Sequence, residues 1–495
     1  VTANRSETTR RMAPTLVNVM DFKLFENTNS ATLSQGLNFQ PGVRVETNCQ
    51  NCGFQQVRIN GLDGPYTQIL IDSRPIFSAL AGVYGLEQIP ANMIERVEVM
   101  RGGGSALFGS SAIAGTINII TKEPLRNSGQ LSHTITGVGG TSSWDNSTTM
   151  NASLVTDNSK AGLYIFGQNR ERSGYDSDGD GFTELPKLKN QTVGFRSFLK
   201  TSAYSKLTFE YHHLQEFRRG GDLLNRPPHE ANIAEQLRHS INSGGLKFDY
   251  FSPDEKHRLS VYASAQHIGR DSYYGGNQDL NAYGATKDFT WVAGSQYIYH
   301  FDRCLFMPSD LTGGVEYNQD NLKDDMWGYN RYTNQKVHIA GAFFQNEWRN
   351  RQWSILLGGR LDKHNLINHV IFSPRANIRF NPVENVNLRA SYSVGFRAPQ
   401  AFDEDLHIEN VGGTISMIEL ADNLKEEKSQ SFSVSADVYH RWGAFQGNFL
   451  LEGFYTNLSD VFALREIGVR DGTIINERYN EKRNNSRKTS RNAYF

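Results

Sequence analysis

From about Leu125 onward, apolar and polar residues alternate along the chain, segment after segment. In "VNLRASYSVGF", Leu388, Ala390, Tyr392 and Val394 fall on one face and Asn387, Arg389, Ser391 and Ser393 on the other. That period of two predicts β-strands with one oily and one wet side. "AGLYIFGQNRERS", "KNQTVGFRSFLKTS", "SKLTFEYHHLQEF" and "HRLSVYASAQHIG" repeat it. A soluble sandwich turns the oily side inward, and a membrane barrel turns it outward. Three features favour the barrel. Many strands run to about 12 residues or more, against about 5–6 in soluble sheets. Aromatics gather near strand ends (Tyr164 and Phe166, Tyr211, Tyr297 and Tyr299, Tyr392 and Phe396), as interfacial girdles do. Connectors come in two sizes: short ones such as "SAYSK", "SPDEK" and "RNRQW", and long polar ones at residues 173–190 and 399–428. About 16 strands are counted between residues 125 and 481.

The first quarter reads differently. It predicts a short helix over Ala31–Leu37, a strand over Gln56–Asn60 turning at Asn60-Gly61, a short helix opened by Pro90, a strand over Ile94–Met100 and another in "GTINIITK". Residues 12–124 thus form a small α+β domain ahead of a β domain over 125–481.

Composition narrows the functional classes. Lys and Arg total 51 against 52 Asp and Glu, a net charge of -1, which excludes the basic excess of a nucleic-acid protein. No apolar run approaches the roughly 18 residues of a membrane helix, which leaves alternating strands untouched. Cys49 and Cys52 of "CQNC" read as a local disulfide of an oxidising compartment, with free thiols and a metal site as alternatives. "RGGGSALFG" lacks the Lys-Ser/Thr pair of a P-loop, and Leu107 stands where a dinucleotide fingerprint needs its third glycine. Its glycines at 102–104 read as a tight backbone path between two strands. No nucleophile elbow and no His-Glu-x-x-His occurs, so the chain does not read as an enzyme.

Three stretches carry a resemblance. "RINGLDGPYTQILIDSRPI" and "IPANMIERVEVMRGGGSALFGSSAIAGTINIITKEP" look like the plug of TonB-dependent outer-membrane receptors. "GFRAPQAF", followed by Ala421-Asp422-Asn423-Leu424, looks like the family's FRAP box and Asn-Pro-Asp/Asn-Leu box, without the usual proline. The resemblance implies a plug inside an outer-membrane barrel, with ligand held by outer loops and plug apices and with TonB pulling from the periplasm. It implies 22 strands, so a barrel of about 16 would be incomplete. Residues 1–11 then resemble the residual segment just past a TonB-contacting box, and the basic stretch 482–495 an atypical tail of a chain truncated at both ends.

Within the family the plug looks most like cobalamin and haem receptors of Bacteroidetes-type bacteria. Cobalamin is the favoured ligand, with haem or siderophore-iron uptake as the alternative and a degenerate, non-transporting barrel as the second. A surface lipoprotein partner is also implied. In "YDSDGDGFTELP", Asp176, Asp178 and Asp180 alternate before Gly181 as in the first half of an EF-hand loop, but Lys187 stands at the twelfth position. Glu184 would help complete a calcium site. For haem, His407 falls between the two barrel boxes where haem receptors carry a histidine, although the plug has none. Tyr66, Phe77 and Tyr84, on turn-rich plug segments, would stack on a corrin or porphyrin.

Overall fold

The structure, a computed structural model, describes residues 8–49, 53–75, 86–140, 143–411 and 414–481. Phe77, Tyr84, Cys52 and the stretch 482–495 lie outside them.

The N-terminal domain holds β1 (Val17–Asp21), β2 (Val43–Cys49), β3 (Phe54–Ile59), β4 (Thr67–Ile71), β5 (Ile94–Arg101) and β6 (Gly115–Thr121). Four of these form one sheet in the order β1-β5-β6-β4, with β4 parallel to β6. β2 and β3 make a separate hairpin. Asn60 and Gly61 both adopt positive φ (55° and 78°), the geometry of a tight two-residue turn. Asp21 caps the helix Phe22–Asn27 by accepting from the Leu24 N–H. The expected helix at 31–37 is shorter, Leu33–Leu37.

The glycine triplet serves two needs. Gly102 has φ +81°, which disfavours a side chain although space is open there. Gly103 and Gly104 have no spare space: a Cβ would stand 2.4 Å from Ser393 Oγ and 2.8 Å from Thr116 Cγ2 respectively.

The second domain comprises β7 (Ser128–Val138), β8 (Ser143–Val155), β9 (Ala161–Arg172), β10 (Lys187–Ser202), β11 (Ser205–Gly221), β12 (Ile233–Phe251), β13 (His257–Gly276), β14 (Tyr283–Cys304), β15 (Met307–Met326), β16 (Arg331–Arg349), β17 (Trp353–His364), β18 (Ile371–Phe380) and β19 (Val386–Arg397). After these come β20 (Glu409–Val411), β21 (Thr414–Leu420), β22 (Glu427–Trp442), β23 (Phe445–Ser459), β24 (Val461–Arg470) and β25 (Thr473–Glu481). β7 to β19 with β22 and β23 form one antiparallel sheet of 15 strands, with β7 and β23 at its ends. Among the described residues these 15 strands stand beside the expected count of about 16. The difference lies at the C-terminus, where β24 and β25 leave the sheet and pair with β20 and β21.

Burial decides between sandwich and barrel. Inward positions are polar: Asn387 and Arg379 are 0% exposed, and Arg170, Arg218 and Arg219 only 1%. Outward positions are apolar: Val193, Val315, Phe344, Phe372 and Val434 are each more than half exposed, Val434 at 61%. A water-soluble sheet has the reverse pattern. Apolar flesh outside and ion pairs inside is the pattern of a wall facing lipid. No helix among the described residues is long and apolar enough to cross a membrane.

The inside of that wall is filled by the first domain. Its core (Met20, Phe25, Leu33, Val97, Ile117 and others) runs without a break into Tyr164, Phe166, Tyr262 and Val292 of the sheet. Tyr164 and Phe166 are therefore not girdle residues, being 5% exposed with Tyr164 donating to the Asn92 carbonyl at 2.7 Å. Phe396, 1% exposed, also points inward, whereas Tyr211 and Tyr297 do face outward.

Candidate functional site

The strands alternate between two kinds of connection, so the barrel has two unlike ends. At one end β10–β11, β14–β15 and β22–β23 are joined by turns at 203–204, 305–306 and 443–444. At the other, hereafter the outer rim, β9–β10, β11–β12 and β19–β22 are joined by loops at 173–186, 222–232 and 398–426. The last loop carries the hairpin β20–β21, which β25 extends in parallel and β24 completes.

The loop 173–186 brings Asp176, Asp178, Asp180 and Glu184 together, with one oxygen of each within 4.8 Å of the others. Gly179 and Gly181, at φ +81° and +91°, turn the backbone sharply between these side chains. Asp176 accepts from the Gly179 N–H at 2.7 Å and the Gly181 N–H at 2.9 Å, and those two amides hold its carboxyl below the usual range. The Tyr175–Leu185 bridge closes the base of the loop. In EF-hand counting from Asp176, Glu184 is the ninth position, so the loop supplies carboxylates at one, three, five and nine. Four hard oxygen donors on a tight turn suit calcium.

His407 lies on the loop over β19–β22, half-buried, with its ring edge-on to Tyr274 at 4.7 Å. Its Nε2 is 3.6 Å from Oε1 of Glu235 on β12. The other oxygen of that carboxylate accepts from Cys49 Sγ, on β2 of the plug, at 3.2 Å. Sequence reading paired Cys49 with Cys52 and set His407 apart, yet the fold puts Cys49 and His407 against one glutamate. Nothing local in the sequence announces Glu235.

Tyr66 is 7% exposed and sits between plug and barrel, its hydroxyl donating to Glu427 Oε1 at 2.9 Å. Burial, then Glu427, push this phenol well above its ordinary range. Glu427 also accepts from the Phe462 N–H at 2.7 Å and faces Arg397 at 3.5 Å. Tyr66→Phe is expected to cost about 1 kcal/mol in plug stability, read as a shift in the denaturation midpoint in detergent.

Sequence reading missed the ionic contacts that fasten the plug. Arg101, just before the glycine triplet, pairs with Glu452 of β23 at 2.7 Å. Glu87 faces Arg170, Arg172 and Arg218. Nearer the short-turn end, Asp72 bonds Arg196, and Arg74 bonds both Glu210 and the Ser264 hydroxyl. Burial would raise the Asp72 carboxyl, but Arg196 and Arg74 outweigh it and bring it from 3.8 to about 2. The signal was present in the polar face of the strands, where Gln168, Arg170 and Arg172 recur at every second position.

A cavity of ≈ 170 Å³ remains between plug and wall, lined by Gln68, Phe108, Asp320, Arg360, Asp362 and Phe402 among others. That is below the roughly 300–1,000 Å³ of sites for drug-sized ligands. A second, more open cavity of ≈ 500 Å³ lies nearer the short-turn end, between Asp72 and Arg74 of the plug and Arg196, Lys206 and Tyr262 of the wall.

Comparison with known proteins adds the relationship. The model of the TonB-dependent receptor plug domain matches residues 9–116, and the model of the TonB-dependent receptor-like β-barrel matches residues 124–491. The latter match extends into the stretch read as an atypical tail. The chain is 24% identical over 452 residues to the vitamin B12 transporter BtuB of Vibrio vulnificus strain YJ016, covering 89% of this chain and 67% of that protein. It is 25% identical over 410 residues to the iron-regulated outer membrane virulence protein of Vibrio cholerae, covering 78% of this chain and 58% of that one. In fold it is similar to the siderophore receptor PirA of Acinetobacter baumannii (TM-score 0.79, 18% identity, 96% of this chain and 76% of that one). It is also similar to a mutant ferric enterobactin receptor of Pseudomonas aeruginosa in complex with enterobactin (TM-score 0.77, 17% identity, 95% and 77%). The place of such a barrel is the outer membrane, and the family consists of receptors and transporters rather than enzymes. With an inverted β-wall, a plug built into its bore and family matches over both parts, the chain belongs to the TonB-dependent receptors.

Proposed function

We propose that the chain is the receptor of an energised uptake system for a large, scarce nutrient, with cobalamin favoured, and that TonB draws on its plug from the periplasm. The observation that carries the choice of cobalamin is the rim loop 173–186, whose four converging carboxylates suit a calcium ion. A bound divalent cation would stiffen that loop and hold it as one wall of the space above the plug. The similarity to a vitamin B12 transporter over most of this chain supports the same reading. Siderophore-iron is the runner-up, supported by the likeness to an iron-regulated outer-membrane protein. Haem has less support, because His407 faces Glu235 and Cys49 and the plug contributes no histidine.

The test is equilibrium titration of detergent-solubilised protein with cyanocobalamin, haemin and a ferric siderophore, each in calcium and in chelator. Cobalamin is expected to bind, with affinity falling about tenfold on chelation (about 1.4 kcal/mol) and in the Asp176→Asn/Asp178→Asn variant. Calcium-independent cobalamin binding would remove the role given to the loop. Haemin binding that His407→Ala abolishes, with no cobalamin binding, would replace cobalamin by haem.

A further inference from the structure

We propose that Cys49, Glu235 and His407 form a binding site for a borderline-soft divalent cation of the zinc class, which ties the plug to the barrel rim and its largest loop. One thiol, one carboxylate and one imidazole, from three separate parts of the fold, place a ligand atom each within 4.8 Å of one another. Cys49 ends β2 of the plug, Glu235 opens β12 of the wall, and His407 stands on loop 398–426. The observed separations are 3.2 Å from Cys49 Sγ to Glu235 Oε2 and 3.6 Å from His407 Nε2 to Glu235 Oε1. With ordinary zinc–sulfur, zinc–nitrogen and zinc–oxygen bond lengths, the edges of a tetrahedral site are about 3.4–3.6 Å. The two measured edges thus already have about tetrahedral length, and the third, from Cys49 to His407, lies within 4.8 Å, so closing round an ion takes a movement of at most about an ångström.

The surroundings favour such a site. All three residues are half-buried, so the ion would be partly shielded from water yet reachable. Tyr274 meets the imidazole edge-on at 4.7 Å and fixes its plane. Leu237, Met326, Ile408, Met417 and Ile475 pack together beneath, with Cys49 against them, and make one wall apolar. A dry wall beside a thiolate strengthens its attraction to a cation. Three protein donors leave the fourth position to water, as in open zinc sites. The donor set separates this site from the rim loop 173–186, whose oxygen-only carboxylates suit a hard cation. The consequence is mechanical: the ion would fasten the β2–β3 hairpin to loop 398–426, so that loop and plug move as a unit while it is bound.

The probe is cobalt(II), added to the reduced full-length chain in detergent, because thiolate coordination gives an intense sulfur-to-metal charge-transfer absorption. One equivalent should bind with that absorption, and zinc(II) should displace it. Cys49→Ser should abolish the absorption, whereas Glu235→Gln and His407→Ala should weaken binding at least tenfold. Asp176→Asn/Asp178→Asn should leave it unchanged, whatever that variant does to nutrient binding. Zinc should also raise amide-exchange protection in residues 43–59 of wild type but not of His407→Ala. Absence of the absorption in reduced wild-type protein overturns the proposal. So does absorption whose affinity is undiminished by both Glu235→Gln and His407→Ala, since thiols alone would then hold the metal.

Discussion

Glu87→Gln is expected to destabilise the plug by about 3–5 kcal/mol, the loss typical when one member of a buried charge cluster is removed. The Glu87 side chain is 4% exposed, and its oxygens lie 3.1 Å from Arg170, 3.0 Å from Arg172 and 2.8 Å from Arg218. Arg170 keeps Asp145, and Arg218 keeps Glu216, but Arg172 is left with the Pro186 carbonyl among its described partners. The amide of glutamine matches the shape and withdraws the charge, so the loss reports electrostatics rather than packing. Denaturant unfolding in micelles, followed by amide exchange in the plug, measures it, and a loss below about 1 kcal/mol would show that water compensates the arginines. The same carboxylate predicts a pH dependence. Burial raises it, but Arg172, Arg218 and Arg170 together bring it from 4.5 to about 2. A depressed carboxyl contributes fully above its unfolded value and loses that contribution as pH falls through the folded one. Wild type should therefore loosen between about pH 4.5 and 2, with Asp72 adding to the slope, and the Gln variant should show a shallower fall.

Gly115→Ala is expected to cost about 3 kcal/mol or more and to open the centre of the plug sheet. Gly115 starts β6 at φ +159°, opposite Arg101 of β5. A Cβ there would stand 2.3 Å from the Met100 carbonyl oxygen and 3.2 Å from Ile59 Cδ1. The first obstacle is backbone and cannot swing aside as a side chain would. Relief requires β5 and β6 to part just where Arg101 reaches across to Glu452, so the variant should weaken that ion pair as well. Gly102→Ala is the control. No atom lies within 4 Å of its added Cβ, so only its positive φ is penalised, at about 1 kcal/mol. Equal losses in the two variants would refute the steric account.

The wall was legible because a period of two survives any loop error. Leu388 declared one face, Asn387 and Arg389 the other, and the structure turns those faces as lipid requires. Three plug strands, β3, β5 and β6, were legible in the same way, whereas β1, β2 and β4 were not. The glycine triplet was legible as a tight backbone path, which Gly102 needs for its positive φ and Gly103 and Gly104 for their close neighbours. The aromatic girdle was only half legible. Sequence spacing cannot tell that Tyr164 and Phe166 belong to the inward face, since their companions on that face are polar and the plug core they join lies more than forty residues earlier. The pairing of the last strands was not legible for a topological reason: β25 pairs in parallel with β21, a loop strand distant in sequence. The acidic loop could be read from local spacing alone. The cluster of Cys49, Glu235 and His407 could not, because its members become neighbours only once β12 and loop 398–426 close over the plug.

An arginine-lined bore also bears on how the plug would respond to a pull. Arg170, Arg172 and Arg218 share Glu87, Asp145 and Glu216 among them, so a small displacement exchanges one counter-ion for the next and admits water between. The oily seam of Tyr164, Phe166, Tyr262 and Val292 has no substitute partners to offer. Tyr164 and Phe166 share β9 with Arg170 and Arg172, so the exchangeable ion pairs and the oily seam are stacked along one flank. Under load, the polar level should slip in small steps while the aromatic level below it holds.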